Sequence, residues 1–250
     1  MKKLSGRRSA NRWQLLLVVM LSCSIQALAY VVDDDWKLVS GKDKELQVYT
    51  KIIEGQRIKA VKAVTTLDAP MTTLLTVLSD DELVPEWIPV IGNAELLQAT
   101  DADGVSVMYL VTKFPWPVKN RVTVVKTVTT YDDNTNTVTM ESTGVPGYVE
   151  DKKGLIRTRD SYTRWKIRPR EDGKLHVEII THTDPRGLFP KWLMNLIVSR
   201  TPGTMFSRIE KILDDETVQS RPFDEIHVFG KEVGLSAPRD VDLPATSSTS

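Results

Sequence analysis

His176, Glu178 and His182 share one parity along an alternating stretch, so an extended strand would set two imidazoles and a carboxylate on one face, a donor set that suits zinc. Leu175, Val177 and Ile179 take the opposite parity. The imidazole face is therefore expected to be the solvated one, and no metal is expected there. Glu141 and Asp160 also fall on predicted strands. Facing an internal cavity, they would have raised pKa values and become acid–base candidates. They form no paired catalytic set, and the chain has no Gly-rich phosphate loop, no Gly-x-Ser-x-Gly elbow and no His-Glu-x-x-His helix. The expectation is a protein without catalytic residues or cofactor. Asp33-Asp34-Asp35 is read as a solvated start rather than a calcium site. Arg157, Arg159, Arg164, Arg168 and Arg170 divide between strand faces and suit a solvated strand surface.

The elements that would carry these residues follow from periodicity. Strands are predicted at Leu46–Lys51 and Arg57–Leu67, joined by a tight turn around Glu54-Gly55. Pro70 suits a first helical position, and Met71, Leu74, Leu75 and Leu78 mark one helical face. Ser79 with Glu82 three residues on reads as a capping box for a second short helix, stopped before Pro85. Further strands are predicted at Ala94–Ala99, Val105–Lys113, Val122–Tyr131, Thr137–Thr143, Leu155–Arg168 and Leu175–Thr183, with turn formers at 132–136 and 170–174. The fold class is α+β, a curved antiparallel sheet wrapped around a final helix.

That helix is predicted from Leu188 to about Leu213, with Leu188, Trp192 and Leu196 in one row and Phe189, Leu193 and Ile197 in the next. Lys191, Asn195 and Ser199 make one narrow polar stripe, so most of its circumference requires an apolar neighbour. Pro202-Gly203 should interrupt the hydrogen-bond ladder before Met205, Phe206, Ile209, Ile212 and Leu213 resume the pattern. About 26 residues of helix would reach about 40 Å. Two readings stay open, a core helix packed on the sheet and a lid over a ligand.

The chain opens with Lys2, Lys3, Arg7, Arg8 and Arg12, then the apolar run Leu15–Leu21 and Ala27-Leu28-Ala29, the charge, core and small-residue order of a secretory signal. Cleavage is expected after Ala29, with export to the periplasm or outside the cell. Cys23 is the only cysteine and lies in that segment, leaving a mature chain without thiol or disulfide. Loss of residues 1–29 removes five basic residues and no acidic one, leaving 28 Lys and Arg against 33 Asp and Glu, a net charge of −5. Such a balance argues against sequence-independent nucleic-acid binding. About 220 residues suit one domain, expected at 30–217. Residues 218–250 form an irregular extension, with a disordered tail expected from Ala237 to Ser250.

Four motifs in order give the chain a family likeness. They are Trp87-Ile88-Pro89-Val90, the loop Phe114-Pro115-Trp116-Pro117-Val118-Lys119-Asn120-Arg121, the strand end Trp165-Lys166-Ile167-Arg168-Pro169, and Asp184-Pro185-Arg186-Gly187-Leu188-Phe189-Pro190-Lys191-Trp192 at the helix entry. Together with the element order over residues 36–217, they resemble the START (StAR-related lipid-transfer) domains. Val122 stands where that family's loop ends in Arg-Asp. The resemblance implies a helix-grip fold enclosing an apolar cavity that binds a lipid, with transient membrane contact, no nucleic-acid partner and a monomeric state. It also implies ligand contacts. From the helix these are Leu188, Trp192, Leu193, Leu196 and Met205. From the sheet and loop they are Met108, Leu110, Phe114, Trp116 and Thr127. Some members carry an acidic and a basic side chain inside the cavity, and Met108 and Thr127 fall nearest those positions, which implies a ligand with a small or neutral polar group. A one-residue slip in that count would turn each side chain to the other sheet face. Phe114–Arg121 is expected as a gate partner of the helix, with Trp116 at a membrane interface and Lys119 and Arg121 meeting lipid phosphates. The alternatives are a helix-grip enzyme like the polyketide cyclases and a membrane-associated scaffold with a filled core.

Overall fold

The computed structural model describes residues 35–54, 56, 58–185 and 189–220, with side chains at 191–199 outside the description. The expected signal segment, the Glu54-Gly55 turn at Gly55, and the C-terminal tail lie outside the described residues.

Among the described residues, ten strands form one sheet. They are β1 (Lys37–Ser40), β2 (Gln47–Lys51), β3 (Ala60–Leu67), β4 (Ile91–Gln98), β5 (Val105–Thr112), β6 (Arg121–Asp132), β7 (Thr137–Gly144), β8 (Ile156–Arg157), β9 (Asp160–Pro169) and β10 (Leu175–Asp184). The order across the curved sheet is β1-β2-β3-β10-β9-β7-β6-β5-β4, each neighbour antiparallel, with β8 lying parallel to β6. Among the described residues, four helices accompany it: α1 (Met71–Ser79), α2 (Val84–Trp87), α3 (Lys191–Leu213) and α4 (Glu216–Gln219).

Alternation along the central strands builds the core. Ala63, Thr65 and Leu67 of β3 stand opposite Ile179, Val177 and Leu175 of β10, and Ile167 and Trp165 of β9 continue the rows to Val138 and Met140 of β7. All these side chains are buried on the face that receives the helices. Leu74, Leu75 and Leu78 enter from α1, Val84 and Trp87 from α2, and Met205, Phe206, Ile209 and Leu213 from α3. The Trp165 ring meets Trp87 edge-on at 5.9 Å and Phe206 at 6.0 Å, within the range where aromatic quadrupoles favour such T-shaped pairs. The indole N–H of Trp87 donates to the Val77 carbonyl at 2.9 Å, so its burial leaves no orphaned donor.

Several local readings need correction. The second short helix begins at Val84, where the sequence reading had it end, because Pro85 occupies the first turn, whose N–H groups have no intrahelical acceptor. Ser79 does not cap it. The Ser79 hydroxyl donates to the Leu75 carbonyl, and the Asp80 carboxylate accepts from the N–H of Glu82 at 2.9 Å. The expected strand Leu155–Arg168 is broken. The N–H of Thr158 donates to the Val122 carbonyl on the β6 side, and the β7 and β10 ladders begin only around Asp160 and Tyr162. Strand β1 was not expected, since its four residues are all exposed and do not alternate. Helix α3 starts at Lys191 rather than Leu188, consistent with Pro190 disfavouring helical backbone at Phe189. The helix runs through Pro202 as one element of 23 residues. An interior proline costs about 3 kcal/mol, which the buried Met205, Phe206, Ile209 and Leu213 downstream offset. Among the described residues, no helix is long and apolar enough to cross a membrane.

The imidazole face of β10 is also not uniformly solvated. His176 and Glu178 are half-buried, whereas Ile180 and His182 are 3% and 5% exposed. No cluster of metal-ligating side chains occurs among the described residues. Burial holds the His182 imidazole below its ordinary value, with Asp184 and Asp160 pulling the other way; burial and Arg168 likewise lower His176. Both groups take up their protons at lower pH in the native state than in the unfolded chain, whose imidazoles protonate below about pH 6.5. Their contribution to stability is therefore complete above that pH and is lost as the pH falls through the lower native values. The melting temperature should drop between pH 7.5 and 5, and His182→Gln should show a shallower drop. Equal slopes in the two proteins would remove His182 as a cause.

Candidate ligand-binding cavity

The concave face of the sheet is only partly filled by the helices. Along β5, Ser106, Met108, Leu110 and Thr112 point inward; along β6, Arg121, Thr123, Val125 and Thr127 do the same. The strands pair Ser106 with Thr127, Met108 with Val125, Leu110 with Thr123 and Thr112 with Arg121, so successive rungs stack from one end of the cavity to the other. Met140, Trp165 and Ile179 close one end against the core, and Trp87 and Met205 lean in from α2 and α3. These walls enclose about 340 Å³, at the low end of ligand cavities, which run to ~300–1,000 Å³.

Arg121 marks the opposite end. Its side chain is 2% exposed, and the guanidinium carbon lies 5.3 Å from the Phe114 ring centre and 5.1 Å from that of Phe189. Those rings also meet each other edge-on at 5.0 Å. Arg121 Nε donates to the Pro185 carbonyl at 3.0 Å, and Nη1 donates to the Lys119 carbonyl. One cation thus ties the loop at 113–120 to the chain entering α3. Burial pushes its pKa down from the ordinary arginine value. The expectation that Arg121 would face lipid phosphates at a membrane surface is corrected, because the side chain turns inward to carbonyls and aromatic rings. Lys119 remains exposed.

Five of the expected contacts lie together in this wall, namely Met108, Leu110, Phe114, Thr127 and Met205. Met108 and Thr127 both face inward one rung apart. Trp116 is elsewhere. It is 93% exposed at the tip of its loop and does not line the cavity. Leu188 lies outside the described residues, as do the side chains of Trp192, Leu193 and Leu196. Glu141 and Asp160 do not face the cavity either. Both are exposed, and Glu141 accepts from the Tyr162 hydroxyl at 3.1 Å on the convex side. Burial, followed by the charge of Glu141, pushes the Tyr162 phenol up to about 12.

Sequence reasoning missed a transverse row of hydroxyls. Ser106, Thr127, Ser142, Thr163 and Thr181 pair in register across β5, β6, β7, β9 and β10, and all five line the cavity. The hydroxyls of Thr127 and Ser142 share a hydrogen bond of 2.8 Å, and those of Thr163 and Thr181 one of 2.9 Å. Among the described residues that line the cavity, no carboxylate occurs, and the cations are Arg121 and the solvent-exposed Lys59.

Comparison with known proteins agrees with this geometry. A START domain family model matches residues 20–217. An uncharacterized protein of Pseudomonas aeruginosa is 30% identical over 195 residues, covering 78% of this chain and 93% of that protein. The mitochondrial StAR-related lipid transfer protein 7 of Mus musculus is 23% identical over 172 residues, 67% of this chain but only 46% of that protein. Among solved structures, a STAR-related lipid transfer protein fragment from Xanthomonas axonopodis aligns with a TM-score of 0.65 at 27% identity, covering 73% of this chain and 100% of the fragment. Human StAR-related lipid transfer protein 5 shares the fold, with a TM-score of 0.65 at 14% identity over 80% of this chain and 97% of its own. With its curved antiparallel sheet, its long C-terminal helix and a family match spanning residues 20–217, the chain belongs to the START domain family.

Proposed function

We propose that this protein holds one lipid in the cavity and carries it between membranes. The observation that supports the reading is the cavity itself, walled by Met108, Leu110, Val125, Met140, Trp165 and Ile179 and kept unfilled within a packed fold. Exposing a 16-carbon chain to water costs roughly 13 kcal/mol at about 0.8 kcal/mol per methylene, a barrier that an enclosed apolar site removes. The names of two relatives and of the bacterial structure point the same way. No observation favours the helix-grip enzyme, since Glu141 and Asp160 both lie away from the cavity.

Loading requires an opening, and the contact of Phe114 and Arg121 with Phe189 and Pro185 is where the loop and the helix entry part in this reading. Trp116 projects beside it between the exposed Lys113 and Lys119. An indole flanked by cations suits the interface of a membrane containing anionic lipid. The protein acts as a monomer exported to the periplasm or beyond, its first 29 residues serving as the signal.

Met108→Trp should abolish uptake of a fluorescent acyl lipid with an uncharged head from vesicles while the melting temperature stays near that of wild type, because a cavity absorbs volume that a close-packed core does not. Lost stability with normal uptake would place Met108 in a close-packed core and remove it from the cavity wall; wild type that takes up no lipid would end the carrier reading. Trp116→Ala should slow transfer to anionic vesicles several-fold and change stability by no more than about 0.5 kcal/mol; an unchanged rate would exclude the loop from docking. Export predicts that the intact mass of the protein recovered from the cell envelope corresponds to a chain starting at Tyr30, and a chain retaining Met1 would contradict it.

A further inference from the structure

The hydroxyl row crosses the cavity as a continuous band one rung beyond the Met140–Trp165–Ile179 end. Side chains at Ser106 and Thr127 could have been aliphatic without disturbing the ladder, as Met108 and Val125 are on the next rung, while β9 and β10 carry a second hydroxyl pair there, Ser161 and Thr183, at 3.1 Å. All five side chains are half-buried, and hydroxyls withdrawn from water in this way are costly unless their bonds are made. Pairing meets only part of that need. Each hydroxyl carries one donor and two lone pairs. The Thr127–Ser142 pair spends one O–H on its mutual bond and keeps the other. Thr181 also donates to the Tyr162 carbonyl at 3.3 Å. With that bond made, Thr163 donates to Thr181, and this second pair presents lone pairs to the cavity. The band therefore offers a donor towards β6 and β7 and acceptors towards β9 and β10.

Charge sets the class of group that fits. Thr127 and Arg121 lie six residues apart on β6, about 20 Å at ~3.3 Å per residue. Arg121 is spent on carbonyls and aromatic faces at the other end, and Lys59, at the margin of the cavity, is exposed to solvent. A phosphate on the band would be a buried anion without a cation, which is far more costly than a neutral group that both donates and accepts.

We propose that Ser106, Thr127, Ser142, Thr163 and Thr181 form the subsite for the polar end of the ligand, and that this end is uncharged and carries a hydroxyl beside ether, ester or amide oxygens, as an acylglycerol does. The proposal rests on the reading of the cavity as a lipid site, and it assigns that lipid a neutral head seated deep in the sheet.

The test uses the purified protein and phosphatidylcholine vesicles containing trace labelled dioleoylglycerol or dioleoyl phosphatidate, which share acyl chains and differ in charge. Pyrenyldecane, which has no hydrogen-bonding group, reports the cavity alone. Wild type should extract dioleoylglycerol at least about tenfold better than phosphatidate. Thr163→Val and Thr127→Val, which keep the shape of the side chain, should each weaken dioleoylglycerol binding roughly three- to tenfold and leave pyrenyldecane binding unchanged. Thr163→Ser should restore it. Two separate strands carry the variants, so failure of one to fold leaves the other and the wild-type preference to decide. Equal extraction of the two lipids, a preference for phosphatidate, or variants that alter both probes together or neither would overturn the hydroxyl-row assignment while leaving a lipid cavity intact. Wild type that takes up no lipid and no pyrenyldecane would overturn the cavity reading itself.

Discussion

Trp165 sets the boundary on which the rest of this structure depends. Held edge-on between Trp87 and Phe206, it belongs to the packed core on one side and to the cavity wall on the other. On the core side, large apolar residues from four helices and the inward face of the sheet fill the space. On the other side, the strands continue along the same register while the side chains become shorter and more polar. The sheet does not change geometry at that line; it changes residue size. A cavity follows because the helix is held at the filled end by Met205, Phe206, Ile209 and Leu213 and cannot settle further onto the strands.

The unfilled end has its own constraint, the buried guanidinium of Arg121. Removing a cation from water is offset here by two carbonyl acceptors and two aromatic faces. Those partners come from the loop at 113–120 and from the chain leading into α3, so satisfying one charge closes two segments over the same opening. Phe114 takes part in both tasks, since it lines the cavity and meets Phe189 edge-on.

Much of this was legible locally. For strands β5, β6, β7 and β10 the sequence-based boundaries fall within one residue of the observed ones. The helical face of α1 and the second half of α3 were equally plain. Where the reading failed, the deciding interaction was distant in sequence. The break between β8 and β9 is made by a bond from Thr158 to Val122, and the burial of Arg121 by a contact with Pro185, 64 residues away. The hydroxyl row is the clearest example. Thr and Ser at alternate positions read as ordinary strand residues, and only the cross-strand register converts five scattered hydroxyls into one band. His182 failed for a related reason, since alternation identifies a face but not whether anything covers it.

The band also separates two kinds of inheritance. Substitutions among Ala63, Val177, Ile167 and Val138 act on a close-packed interior, where one methylene is felt in folding and selection is tight. Substitutions one or two rungs away act on side chains that touch the void, where exchange of Thr, Ser, Val or Ala alters what the wall recognises at small cost to the fold. A lineage built on this sheet can therefore change its cargo through neutral drift along a few strand positions, while the architecture that encloses the cargo stays fixed.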